Sequence, residues 1–457
     1  MSLLRNKILY CTPFVLSIVL YGCSLEEEED SSGTGYYQFV NLSPQSPAIE
    51  FVVDDSTIDE LDYAEATDYE NVSTGSYDIE FNQILPNSEE DNFIDDETLH
   101  VDKKKLHSFI LYGDASSPST FEIEMDISDV YDDDFEDGFG MIQFVNLANT
   151  AETVDMYLIE ADENLLNKNV GYTLAQADSS GDAEVTEGDY KIVFTESGTD
   201  TILAQKNDIE IDEGDAKSFI LVSYDVAGSS DVRYKIIELS DSGARALTNE
   251  AEDAHIRVAN GISNTSGISV ATGDSTNVIE TYIGLGALSY DIEVTPSVSD
   301  EAESTTVYVL NSEDGAELEE TTFNVYADDQ ILLLSAGDAT TTVSLNETDE
   351  DLRIIETHGK LLFSHVIYSE SDESLEIVIV EQGGDPDSYD AELSVSYLES
   401  ESYEIEAGSY DIYIYDSSDE LLLDYTIYDL QEGGVVNLIT TDFDYGGSPY
   451  QITEYVN

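Results

Sequence analysis

The stretch YQFVNL at residues 37–42 recurs as IQFVNL at residues 142–147 and, more loosely, as IRVANG at residues 256–261 and LLFSHV at residues 361–366. Each copy opens a unit of about a hundred residues, in which a second apolar segment follows after a short polar link. A fixed period of this kind indicates tandem copies of one structural unit. The sequence therefore predicts four repeats.

A second landmark is the stretch GSYDIEF at residues 75–81, echoed at residues 188–194, 288–294 and 408–412, where the copy at 288–294 lacks the glycine. Apolar and acidic residues alternate along it, which is typical of a half-buried strand. A glycine before the strand can turn with positive φ at no steric cost. The tyrosine invites comparison with a tyrosine corner, whose hydroxyl bonds to nearby backbone; a core tyrosine with its hydroxyl at the rim is the alternative.

Each unit closes with an apolar run, such as FILY at residues 109–112 or FILV at residues 219–222. Roughly seven short runs per unit, separated by Asp, Ser, Gly and Asn, favour an antiparallel sandwich. We expect an all-β protein of four tandem immunoglobulin-like antiparallel β-sandwich domains after a lipoprotein signal peptide. The expected boundaries are 1–22 for the signal peptide, 23–36 for an acidic Ser/Gly tether, and 37–131, 141–245, 255–346 and 360–457 for the repeats.

The N-terminus combines two basic residues with an apolar run at residues 8–21, which ends immediately before Gly22 and Cys23. This run is shorter than the ~20 residues needed to cross a bilayer as a helix, so it is typical of a signal peptide. The segment resembles a bacterial lipobox, although Tyr21 is larger than the residue usually found there. That resemblance implies that Cys23 becomes the mature N-terminus and carries the acyl chains, including palmitate, while Cys11 leaves with the peptide.

The chain has 100 acidic residues against 15 Lys and Arg, for a net charge of −85. Nucleic-acid binding needs clustered basic residues, and the best cluster, at residues 103–105, is better explained as a solvated turn or strand edge. We therefore expect no nucleic-acid partner. Acidic links at the repeat boundaries should hold neighbouring units apart, giving a string of separate domains.

One acidic link is the only candidate metal site. It contains Asp132, Asp133, Asp134, Glu136 and Asp137, whose oxygens suit calcium. The link fails the EF-hand pattern, however, and a solvated acidic linker is the alternative. We expect no other cofactor.

Residues 39–54, FVNLSPQSPAIEFVVD, together with the later GSYDI strand, resemble the bacterial domain-of-unknown-function family 4397. The resemblance covers most of residues 37–457. Repeat 1 matches best, repeat 2 has Asn149 and Ala151 in place of the two prolines, and repeats 3 and 4 diverge further. The resemblance implies extracytoplasmic β modules, often in tandem, and supplies no catalytic residues.

The sequence shows no nucleophile elbow, Walker loop or zinc-protease helix motif, and its five histidines are dispersed. We expect no enzyme and no catalytic residues, but an envelope or cell-surface lipoprotein of the outer membrane, whose repeats form an interaction or spacer array. Which side of that membrane it faces stays open. Its partners are the membrane, through the lipid, and an unidentified envelope or extracellular protein or polysaccharide. The alternatives are a surface lipoprotein that binds polysaccharide and, more remotely, a hydrolase with an unrecognised carboxylate pair.

Overall fold

A computed structural model describes residues 33–86, 90–127, 138–161, 165, 171–229, 231–295 and 303–457. These residues form 35 strands and two short 3-10 helices, at Tyr368–Glu370 and Pro386–Ser388. The prediction of an all-β fold is confirmed. Within the described residues, none of the helices is long and apolar enough to cross a membrane.

Sandwich 1 contains nine strands in two sheets. Strands β1 to β9 span Thr34–Leu42, Ile49–Val53, Ser56–Leu61, Glu65–Ala66, Glu70–Ser73, Gly75–Ile84, Glu90–Val101, Lys105–Tyr112 and Ser119–Asp126. One sheet has the order β4-β1-β8-β9, with β5 also pairing with β1, and the other has the order β3-β2-β6-β7.

Sandwich 2 repeats this plan and adds one strand at the edge. Strands β10 to β19 span Phe139–Asn146, Thr153–Glu160, Tyr172–Ala175, Asp178–Ser179, Ala183–Thr186, Gly188–Glu196, Ile202–Ile211, Ala216–Tyr224, Arg233–Ser240 and Gly243–Leu247. The sheet orders are β13-β10-β17-β18-β19, with β14 also pairing with β10, and β12-β11-β15-β16.

Sandwiches 3 and 4 have two four-stranded sheets each. Strands β20 to β27 span Ala254–Ser263, Ile268–Thr272, Val278–Ile283, Ile292–Val294, Glu303–Asn311, Glu317–Val325, Gln330–Asp338 and Thr342–Asp349. Strands β28 to β35 span Gly359–Val366, Leu375–Glu381, Leu393–Val395, Ser400–Ile405, Gly408–Tyr415, Leu421–Leu430, Val435–Thr441 and Gln451–Val456. The orders are β23-β20-β26-β27 with β22-β21-β24-β25, and β31-β28-β34-β35 with β30-β29-β32-β33.

One sheet of every sandwich contains a parallel pair, which the antiparallel prediction did not include. The first strand of the unit runs parallel to a strand near the end of the same unit, in the pairs β1·β8, β10·β17, β20·β26 and β28·β34. Parallel neighbours need a long crossover, and here the other sheet of the same sandwich provides it. We call the sheet with the parallel pair the mixed sheet and its partner the antiparallel sheet.

The recurring asparagine of the first strand anchors the turn that follows it. Asn260 is fully buried; its Nδ2 donates to the carbonyl of Ile283 at 2.9 Å, and its Oδ1 accepts from the N–H of Ile262 at the same distance. Asn41 and Asn146 make the same kind of bond to the N–H two residues ahead. The asparagine therefore has a structural role, since it satisfies backbone groups that would otherwise be buried without a partner.

The tyrosine-corner comparison holds in three of the four repeats. The hydroxyls of Tyr77, Tyr190 and Tyr410 each donate to the carbonyl four residues earlier, at 2.6, 2.8 and 2.8 Å. Of the three glycines two residues before these tyrosines, only Gly188 has a positive φ. The expectation of a positive φ was therefore wrong for Gly75 and Gly408. At Gly408 a Cβ atom would lie 3.2 Å from the tyrosine hydroxyl, and glycine is favoured there because the ring approaches the backbone closely.

The third copy of this motif was assigned to the wrong strand. Residues 292–294 form β23, which pairs with β20 in the mixed sheet, whereas the strand equivalent to Gly75–Ile84 is β24. Tyr290 precedes β23 and is 83% exposed. The copy at residues 288–294 lacks the glycine, and this difference indicated that it is not equivalent to the other three. Its sequence resembles the motif, but it lies in a different strand of the sandwich.

The sandwiches pack against one another, so the prediction that like charges hold them apart was wrong. The mixed sheets of sandwiches 1 and 2 face each other across a cluster of ten buried aliphatic residues: Val40, Leu42, Ile110, Ile123, Val145, Leu147, Ile220, Val222, Ile237 and Leu239. These side chains point away from their own cores. At about 1.5–3 kcal/mol for each buried aliphatic side chain, the apolar contact outweighs screened surface repulsion.

Sandwiches 3 and 4 meet in the same way, through a smaller cluster that includes Leu332, Leu334 and Val366. A third cluster joins sandwich 2 to sandwich 4, where Val226 packs near Leu362 and the linker residue Leu352. The four repeats therefore form one connected body through their mixed sheets.

The acidic links inside the described region are paired with scarce cations. Glu250 accepts from the Nζ of Lys206 at 2.7 Å, and Glu350 accepts from the Nε of Arg257 at 2.8 Å. The side chains of Glu250 and Glu350 are only 5% and 3% exposed. Because buried charges need partners, these links pack onto the sandwiches and do not extend.

Candidate functional site

A cleft of about 750 Å³ lies between sandwiches 1 and 2. It opens beside the apolar contact of the two mixed sheets, so its two walls are held at a fixed distance. We call it the inter-sandwich cleft. Its lining residues are Tyr36, Tyr69 and Leu106 from sandwich 1, and Gly214, Asp215, Ala216, Lys217, Glu238, Ser240, Asp241, Ser242, Gly243, Ala244 and Arg245 from sandwich 2.

Sandwich 1 provides an aromatic wall. Tyr36 and Tyr69 pack on a small apolar cluster that contains Leu106 and Met125. The hydroxyl of Tyr69 accepts from the Nε2 of Gln38 at 2.8 Å and lies 2.8 Å from the Oγ of Ser108. Burial raises the pKa of Tyr69 to about 12. The phenol is therefore neutral at physiological pH and its ring is held in place by these bonds.

Sandwich 2 provides a charged wall, on which anions and cations alternate. The Nζ of Lys217 lies 2.6 Å from Asp215 and 3.9 Å from Glu238, and it donates to the carbonyl of Glu210 at 2.9 Å. The guanidinium of Arg245 contacts Glu238 and is 68% exposed. These pairs occupy both carboxylates and leave part of Arg245 free to meet a ligand.

A second cavity of about 450 Å³ continues from the first and shares Lys217, Glu238 and Arg245 with it. Lys206 lines its far side. Three of the chain's few cations therefore lie along one groove, although the whole molecule is strongly acidic. An aromatic wall opposite a row of paired charges and serines suits a ligand that has both an apolar face and hydroxyl groups.

The two sites predicted from the sequence lie outside the described residues. These are the lipidation site, Cys23, and the calcium cluster, Asp132, Asp133, Asp134, Glu136 and Asp137. Both remain predictions.

A cluster of two acidic residues and one histidine could hold a metal ion by its geometry, but a lysine already contacts both carboxylates. Ligand atoms of Asp102, His107 and Glu124 lie within 4.8 Å of one another. The Nζ of Lys105 lies 3.6 Å from Asp102 and contacts Glu124, while the Nε2 of His107 accepts the N–H of Asp102 at 3.0 Å. Lys105 thus supplies the positive charge of this group. Residues 103–104 form a turn, as expected from the sequence.

The five histidines lie apart in the structure, and no two of them share a hydrogen-bonding partner among the described residues. His100 lies 2.8 Å from Ser76, His107 lies 2.8 Å from Glu122, His255 lies 2.7 Å from Asp291, His358 lies 2.9 Å from Glu404, and His365 is buried. Sequence reasoning did not find the inter-sandwich cleft. The one available signal was the presence of cations in so acidic a chain.

Comparison with known proteins gives a family match over part of the chain. Residues 35–157 match the model of a family described as Domain of unknown function (DUF4397). The match confirms the resemblance over sandwich 1 and the first strands of sandwich 2. No curated protein matches the chain.

Among solved structures, the chain is similar to one titled "Product complex of a multi-modular glycogen-degrading pneumococcal virulence factor SpuA". The identity is 9% and the TM-score is 0.15, and the alignment covers 66% of this chain and 38% of that one. A TM-score this low carries no argument about fold or activity.

Proposed function

We propose that this protein is a non-catalytic interaction module of the bacterial cell envelope, tethered to a membrane through a lipid on Cys23. The observation that carries the proposal is the apolar contact between the mixed sheets of sandwiches 1 and 2, which holds an open cleft in a fixed shape. A preformed concave site lowers the entropy lost on binding. Packed repeats also reach less far than extended ones, so interaction is favoured over a purely spacing role.

Pairing within the cleft supports binding rather than acid–base chemistry. Asp215 is held by Lys217 and Glu238 by Arg245. A general acid or base needs a carboxyl group that can approach the substrate, whereas these two carboxyl groups are occupied by ion pairs within the protein.

The anchoring is tested by replacing Cys23 with serine. We expect Cys23→Ser to abolish metabolic labelling with a palmitate analogue and to move the protein out of the membrane fraction, because the acyl chains are its only proposed hold on the bilayer. Cys11→Ser is the matched control and should keep the label, since Cys11 lies inside the signal peptide. Persistent labelling of the Cys23→Ser protein would contradict the proposal. Protease treatment of intact cells then reports which side of the envelope the repeats face.

A polysaccharide is the ligand that the cleft favours. Tyr36 and Tyr69 offer ring faces on which a sugar can stack, and Arg245 with the serines at positions 240 and 242 offers hydrogen bonds to hydroxyl groups. The cleft volume of about 750 Å³ is in the range of sites for small ligands.

This assignment predicts saturable binding on a polysaccharide array. We expect Tyr36→Ala to weaken that binding roughly three- to tenfold, because an aromatic contact contributes on the order of 1 kcal/mol. Tyr428→Ala removes a 71% exposed tyrosine from sandwich 4 and serves as the control. Equal binding by the two variants, or no saturable binding of any saccharide, would rule out the cleft as a polysaccharide site.

A further inference from the structure

Arg233 is a buried cation, and one nitrogen of its guanidinium has no hydrogen-bonding partner in the described part of the chain. It is the first residue of β18 and is 5% exposed. Its Nη1 is buried and unpaired. A buried guanidinium nitrogen without an acceptor is costly, so such a group in a folded protein calls for an explanation.

Arg233 lines a cavity of about 410 Å³ where sandwiches 2, 3 and 4 meet. The same cavity is bounded by Ser229 and by Gln330, and the 83% exposed ring of Tyr290 lies at its mouth. The inter-sandwich cleft has an entirely different set of lining residues, so an inference about this cavity does not rest on the proposed function.

The other cations of this cavity already have acceptors. Arg257 donates to Glu350 at 2.8 Å and to the Oδ1 of Asn457 at 2.6 Å, and His255 lies 2.7 Å from Asp291. Asp328, whose charge acts on Glu252 together with that of Arg233, is likewise occupied, because the Nζ of Lys235 lies 3.0 Å away and the hydroxyl of Tyr224 donates to it at 3.1 Å. Glu252 also lies close enough to Arg233 to feel its charge, but the Nη1 of Arg233 bonds to neither carboxylate and is left to meet an acceptor from outside.

We infer that this cavity binds a small hydroxylated acid, whose oxyanion is held by the guanidinium of Arg233. The planar fork of arginine matches a carboxylate or a sulfate group with two parallel hydrogen bonds. Ser229 and Gln330 are placed to bond hydroxyl groups, and Tyr290 can cover an apolar face at the mouth. A uronic acid or a sulfated sugar has this combination of groups. At physiological salt the charge of the rest of the molecule is screened within about 8 Å. The carboxylates of Asp231, Asp291 and Glu350 also line the cavity, and of these Glu350 is paired with Arg257 and Asp291 with His255.

The test is a ligand-observed NMR titration of the whole chain at physiological salt with glucuronate, glucose and inorganic sulfate. We expect glucuronate to bind saturably, glucose to bind at least tenfold more weakly, and sulfate to compete with glucuronate. Binding of sulfate without binding of glucuronate would support the oxyanion site and assign it to sulfate esters. Absence of saturable binding by both anions would overturn the inference.

Two variants locate the site. Arg233→Lys keeps the charge but loses the fork, and should weaken glucuronate binding about tenfold or more, since a hydrogen bond to a charged group accounts for such a factor. Ser229→Asp places a negative charge at the exposed cavity wall and should also weaken binding. Its carboxylate can still accept the N–H of Asp231, now bonded to the Ser229 hydroxyl at 3.1 Å, so the loop should fold normally.

Lys191→Gln is the matched control, because it removes a positive charge from β15, whose residues do not line the cavity. It should bind glucuronate as the unaltered chain does. Thermal unfolding of each variant separates lost binding from lost folding. Unchanged affinity in both Arg233→Lys and Ser229→Asp would overturn the assignment to this cavity.

Discussion

Val145→Asp is expected to lower the stability of the packed sandwiches by about 3–5 kcal/mol, because it places an uncompensated charge in a buried apolar contact. Val145 is fully buried and lies in the cluster between the mixed sheets of sandwiches 1 and 2. It points away from the core of its own sandwich. We therefore expect the two sandwiches to separate before either of them unfolds.

Small-angle scattering and calorimetry would measure this effect. The radius of gyration should rise, and the first thermal transition should fall by roughly 10 °C. Val278→Asp introduces the same chemical change on β22, where the valine is 43% exposed, and should leave both quantities close to those of the unaltered chain. If Val145→Asp behaves like Val278→Asp, the contact between the mixed sheets does not form in solution.

Acidification is expected to destabilise sandwich 4 through His365. This histidine is fully buried, and burial lowers its pKa to about 4, although the carbonyls of Glu373 and Glu370 and the carboxylate of Asp442 favour the proton. The Nδ1 atom accepts from the N–H of Ile367 at 3.3 Å and must be unprotonated to do so.

The direction of the pH effect follows from the two states of the histidine. The unfolded chain binds a proton at His365 below about pH 6.5, whereas the folded chain does so only below about pH 4. Stability from this group is therefore complete above pH 6.5 and is lost as the pH falls towards 4. A depression of this size corresponds to about 3 kcal/mol.

His365→Asn is the variant that isolates this effect. Asn41, Asn146 and Asn260 occupy the equivalent position in the other repeats and accept the same backbone N–H, so asparagine should fit and does not titrate. Urea unfolding between pH 7 and pH 4 should show the unaltered chain losing about 3 kcal/mol more than the variant. The many carboxylates titrate in both proteins, so the difference reports His365. Parallel stability curves would contradict the depressed pKa.

The sequence predicted those features that depend on residues close together in the chain. Alternation along stretches such as GSYDIEF identified half-buried strands, and the repeated asparagine strand identified the units. The tyrosine bond to a carbonyl four residues away was also within reach of local reasoning. The assignment of residues 288–294 to the GSYDIEF strand was wrong, because similarity of sequence does not determine which strand a segment pairs with.

A second kind of sequence pattern, distinct from the alternation of apolar and polar residues, indicates that the repeats pack against another surface. The FILY and FILV runs are continuous in apolar residues, and a strand of that kind is buried on both faces. One face meets the core of its own sandwich, and the other has to meet something else. The sequence does not say which surface that is, since the choice depends on how two distant sheets fit together.

By itself, then, the sequence determined the all-β class, the repeat and the local anchors, because a period of two and a turn residue act within a few positions of each other. Only the tertiary structure decided that the mixed sheets pack face to face, that Tyr36 and Arg245 line one cleft, and that Arg233 is buried beside sandwiches 3 and 4. Those arrangements arise from burying apolar faces that lie a hundred or more residues apart, and no single stretch of the chain states which distant face will be its partner.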